Sequence, residues 1–90
     1  MNNDLKNELR SEANRYREDK SLLKSSYLFE SYLLLSPNDT EVMLILACIY
    51  IDLKEMFFRN RAKILLENYF ELESSPLPIA LECLINYIYG

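Results

Sequence analysis

From Val42 to Ile51, ten consecutive residues carry no charge and no strongly polar group. A helix that is apolar all round has to be covered from several directions. A membrane span needs roughly 20 apolar residues, and this run is closed by Glu41 and Asp52. The cover must therefore come from protein, and the rest of the chain has to supply it.

The remaining sequence reads as helix. Gly occurs once, at position 90, and Pro three times, in a 90-residue chain that is half hydrophobic. So few breakers leave little room for hairpin turns, and the content of Leu, Lys, Glu and Ala favours helices. Length and composition predict one all-α domain over residues 1–90, built from helical hairpins. A first helix is expected over 4–19, with Leu5, Leu9, Ala13 and Tyr16 on one stripe. A second runs over 22–35, with Ser21 as N-cap. Asn38 followed three residues later by Glu41 is a variant capping box opening the third, which holds the apolar run. Residues 52–60 read as a turn region, 60–73 as a fourth helix, and Pro78 falls in the first turn of a fifth that ends near Tyr89.

Chemistry is sparse. The chain has no His, so Ser-His and Cys-His nucleophilic arrangements cannot be written and metal sites lose their commonest ligand. A single Gly does not make a phosphate-binding loop. The acidic pairs Glu71/Glu73 and Glu18/Asp19 read as solvated helix ends. The expectation is a protein without catalytic residues, metal or cofactor. Net charge is −4, and there is no basic stripe with aromatic platforms, so nucleic acid is not an expected partner. The N-terminal stretch has no apolar signal region and nothing reads as an anchor, which predicts a cytoplasmic protein without membrane partners. Cys48 and Cys83 lie inside apolar helical patterns and are expected to be buried and reduced.

Self-comparison adds a repeat. Ala13 and Tyr16 recur as Ala47 and Tyr50 at a shift of 34 residues, and Tyr50 recurs as Tyr87 at 37. Ser25, Phe29 and Tyr32 recur as Ala62, Leu66 and Tyr69, also at 37, so three additional residues fall between Tyr50 and Ala62, inside the expected turn region. A helix-turn-helix unit of this length carrying Ala13, Tyr16, Ser25, Phe29 and Pro37 resembles the tetratricopeptide repeat. Small Ala13 and Ser25 allow two helices to approach, and Tyr16 and Phe29 fill the space around the crossing. The second copy keeps Ala47, Tyr50 and Ala62 and has Ser74 where the closing Pro is expected. The third is half a repeat that keeps Tyr87 and has Leu84 at the small site.

In tetratricopeptide arrays the first helix of each pair lines a groove. Here the resemblance implies an apolar, partner-binding groove of Leu44, Ile45, Cys48, Ile51, Leu81, Ile85 and Ile88, with Arg10, Asn14 and Arg17 at its polar end. Branched aliphatics suit an amphipathic helix; Ile45 interrupts the basic and Asn pattern by which some of these domains clamp a terminal carboxylate. Size, acidity and the greasy last helix are similar to the small chaperones of type III secretion needle subunits. That resemblance implies a cytoplasmic hetero-oligomer. The chaperone would hold the needle subunit's amphipathic helix to prevent polymerisation before export. A small helical co-chaperone would dock on the first helix, at Leu5, Leu9, Arg10 and Arg17. The alternatives are a tetratricopeptide-like adaptor or scaffold, as a homodimer or otherwise, and a small regulator that binds a transcription factor. A further alternative is that the last helix folds back over the third and fourth helices.

Overall fold

The computed structural model describes residues 2–89, and the side chains from residue 4 to residue 89. The fold is all-α, with five helices in the order α1 (Asn2–Glu18), α2 (Leu22–Leu35), α3 (Thr40–Leu53), α4 (Met56–Leu72) and α5 (Pro78–Tyr89). The chain divides into two compact units, Met1–Asp39 and Thr40–Gly90. The first is the hairpin α1–α2; the second is the hairpin α3–α4 with α5 packed against both of its helices.

In the first unit, α1 carries Asp4 in its first turn and Arg15 and Arg17 in its last, each of the sign that the helix dipole favours. It ends in a Schellman motif. Lys20 takes a left-handed φ of 66°, its N–H bonds the Arg17 carbonyl at 3.1 Å, and the Ser21 N–H bonds the Tyr16 carbonyl at 2.9 Å. Ser21 occupies the N-cap position of α2 without a side-chain capping bond. Instead, the hairpin is locked further along. Ala13 and Ser25 are both fully buried, and the Ser25 hydroxyl donates to the Ala13 carbonyl at 2.7 Å. A serine this short reaches the opposite backbone only where the two helices come close, so the small residues do stand at the crossing. Ser26 is also buried and bonds the Leu23 carbonyl at 2.7 Å. No buried polar side-chain atom is left unsatisfied among the described residues, as a core this small requires.

The second unit also closes its hairpin on a left-handed lysine. Lys54 takes φ 60°, its N–H bonds the Ile51 carbonyl at 3.2 Å, and extended Glu55 caps α4. This corrects the expected turn region. The turn is two residues long and α4 begins at Met56, four residues before Asn60. The three additional residues of the second copy are helix, because α4 has 17 residues and α2 has 14. Nothing in Met56–Arg59 breaks a helix, whereas left-handed Lys54 turns the chain sharply. The third helix also differs slightly, starting at Thr40, so Asn38 lies outside the cap position. Ala47 and Ala62 are fully buried. Far from the turn, the Thr40 hydroxyl donates to Glu73 at 3.4 Å, tying the start of α3 to the end of α4.

Candidate functional site

The apolar run is mostly core. Seven of its ten residues are buried, among them Met43, Leu46, Ala47 and Tyr50. Ile45, Cys48 and Ile51 are half-buried and follow one another at intervals of three on one side of α3. Leu44 is a correction. It is only 5% exposed, so its side chain belongs to the core and offers no surface to a partner.

On α5 the burial pattern is one-sided. Ala80 and Cys83 are buried and Leu84 and Tyr87 half-buried, which places one side of the helix on α3 and α4. One flank of the helix carries Leu81, Ile85 and Ile88, 50–54% exposed and spaced by four and three, a continuous stripe along it. This stripe does not line up with the α3 trio. Cys83 is the α5 residue that reaches Cys48, Sγ to Sγ 3.1 Å, and Asn86 is the one that shares a cavity with Ile51. Ile88 instead joins Leu84 and Tyr87 against Lys63, Leu66, Glu67 and Phe70 of α4, around an open, apolar cavity of about 370 Å³. The seven groove residues thus separate into a buried leucine, a half-buried trio on α3 and an exposed stripe on α5, of which Ile88 reaches the cavity against α4.

The cavity between α4 and α5 was not legible beforehand, because Lys63, Leu66, Glu67 and Phe70 meet α5 only through tertiary packing. Tyr69 shapes its surroundings. Its ring lies edge-on to Phe70 with centroids 5.3 Å apart, and its hydroxyl accepts the Leu77 N–H at 3.0 Å. That bond fixes the connection into α5. The Arg59 guanidinium lies 4.4 Å above the Tyr87 ring and holds the helix from the other side. The second cavity, also about 370 Å³, is lined by Tyr50, Ile51, Asp52, Lys54, Glu55, Met56, Arg59 and Asn86. Its mixed charges define no single ligand.

In the first unit, the residues expected to dock a co-chaperone lie along α1. Leu5 is half exposed, Arg17 exposed, and Leu9 and Arg10 half-buried. Arg10 approaches Asp39 at 3.9 Å, and Asp39 also accepts the Tyr32 hydroxyl at 2.6 Å. That bond is the main reason the Tyr32 phenol holds its proton above the ordinary range, with burial adding to it. The Glu12–Arg15 pair, 2.6 Å apart, lies in solvent. The bond lowers the Glu12 carboxyl and raises the Arg15 guanidinium. Asn14, assigned with Arg10 and Arg17 to the polar end of the groove, is half-buried.

Among the described residues, no three His, Cys, Asp or Glu side chains gather as a metal site. No described helix is long and apolar enough to cross a membrane. No protein-family model, curated protein or solved structure matches the chain. The surface itself therefore carries the functional argument.

Proposed function

We propose that the chain is a non-enzymatic protein-binding module that holds an amphipathic helix of a partner against the exposed side of α5. It would act in the cytoplasm as a tetratricopeptide-like chaperone, of the kind that keeps type III secretion needle subunits from polymerising before export. The observation that carries the reading is the stripe of Leu81, Ile85 and Ile88 beside the α4–α5 cavity. Anchors at i, i+4 and i+7 are the spacing by which helices recognise one another. Full burial of a Leu or Ile contributes about 1.5–3 kcal/mol, and these three are already half covered. The stripe alone therefore supplies a few kcal/mol, whereas a micromolar complex needs about 8. A partner side chain seated in the cavity, between Phe70 and Tyr87, would add to it, and the rest must come from the wider contact.

Leu5 on α1 offers a second, smaller docking point for a helical co-chaperone. The experiment is expression of the chain alone and with its host's proteins, followed by light scattering on the eluted species. The chaperone reading expects aggregation or mixed oligomers alone, and a discrete complex with a helical partner. A clean homodimer alone that captures nothing would favour the adaptor reading, with the same stripe paired between two copies.

A further inference from the structure

Cys48 lies on the half-buried side of α3, and Cys83, 3% exposed, lies on the side of α5 that packs there. The two residues are not disulfide-bonded, yet their sulfurs are 3.1 Å apart and share a hydrogen bond. Thirty-five positions separate them in sequence, so the hairpin and the connection into α5 bring them together. We propose that Cys48 and Cys83 form a redox-responsive pair, which a peroxide closes into an intrachain disulfide that fixes α5 to α3. The inference is independent of what α5 binds, since it concerns only how α5 is held.

The two sulfurs differ in role. The bond to Cys48 above all, then burial and the nearby charges of Asp52 and Glu82, keep the Cys83 thiol protonated well above the usual thiol range. A protonated thiol is a poor nucleophile, so the more open Cys48 meets the oxidant. Cys48 loses its proton and its sulfur attacks one oxygen of hydrogen peroxide. The O–O bond breaks, and the departing hydroxide takes a proton and leaves as water, giving a sulfenic acid. The Cys83 sulfur, already in contact, then attacks the Cys48 sulfur. The S–S bond forms, the S–O bond breaks, and the hydroxyl leaves with the Cys83 proton as a second water. Two electrons pass from the thiols to the peroxide, and a low-molecular-weight thiol reverses the bond by exchange. Reversible pairs of this kind are the form in which disulfides occur in reducing compartments.

The test uses the reduced full chain, a small excess of hydrogen peroxide and intact mass spectrometry. The expected result is a monomer lighter by two hydrogen atoms, with tryptic peptides 25–54 and 64–90 joined. Its thermal midpoint should rise by ~5 °C or more, because the cross-link closes a long loop in the unfolded chain. Dithiothreitol should restore the starting mass, and Cys48→Ser or Cys83→Ser should each abolish the joined peptides. A monomer that gains oxygen at Cys48 with Cys83 still a thiol would overturn the proposal, as would disulfide-linked dimers. The wild-type measurement stands even if a serine variant fails to fold.

Discussion

Over the Tyr16 ring of the first hairpin lie two cations, Arg15 at 4.8 Å and Lys24 at 5.6 Å. Against Tyr50, its counterpart in the second hairpin, lies Phe58, stacked at 5.2 Å with the rings 6° from parallel. Lys24 and Phe58 are 34 residues apart, as are the two tyrosines and the two left-handed lysines that close the turns. The same place in the same hairpin is thus capped by charge in one copy and by an aromatic ring in the other. The crossing differs in the same sense. Ser25 makes a buried hydrogen bond to the opposite helix, and its counterpart Ala62 has no polar atom in its side chain. At these two positions a shared hairpin carries polar partners in one unit and apolar ones in the other, and α5 packs on the helices of the second.

The contrast can be broken most severely at Leu46, which is fully buried in α3. Leu46→Asp buries a carboxylate with no partner and should unfold the second unit, a loss beyond about 4 kcal/mol. Circular dichroism should then retain only part of its helical signal, and full retention would show that α3 is not core. Next come the crossings. Ala13→Leu and Ala47→Leu should each cost about 1–3 kcal/mol by overpacking. Ala13→Leu should lie at the upper end, because it also pushes Ser25 away from its carbonyl. Urea melts give both values, and a neutral Ala47→Leu would separate the two hairpins as structures. The smallest effect sharpens what they share. Lys20 and Lys54 sit at φ 66° and 60°, where a side chain costs about 1 kcal/mol that glycine avoids. Lys20→Gly and Lys54→Gly should each stabilise by about 0.5–1 kcal/mol, visible as a higher urea midpoint.

Much of this frame was readable from the residues. Period and breakers located α2 and α5 closely, since Ser21, Pro37 and Pro78 lie at or near their ends. The 34-residue shift located the small residues that prove to be buried at the crossings. The start of α4 was not readable, because no breaker marks it and a lysine in a left-handed conformation leaves no trace in sequence. The proposed partner surface was half readable. Equating α5 with α3 put Leu81, Ile85 and Ile88 in one groove with Ile45, Cys48 and Ile51, whereas the three are exposed along α5 and do not line up with that trio. How a helix is rotated about its own axis depends on its neighbours, and here Cys83 and Asn86 face α3. Leu44 shows the same limit, since an all-apolar run does not say which of its residues the fold will cover.

In the proposed reading α3 is core while the exposed side of α5 takes the partner. Ile85 is 54% exposed and Leu46 fully buried, so the same change at the two positions separates the roles. The measurement is a thermal melt by circular dichroism of Ile85→Asp, coupled to retention of the protein that co-purifies with the wild type. Ile85→Asp should keep the wild-type helical signal and a melting temperature within about 5 °C, as surface substitutions do. It should nevertheless lose the partner, because a carboxylate would then stand unpaired where an apolar anchor docks. Folded Ile85→Asp that still holds the partner would contradict the account, and so would a variant that unfolds as Leu46→Asp does.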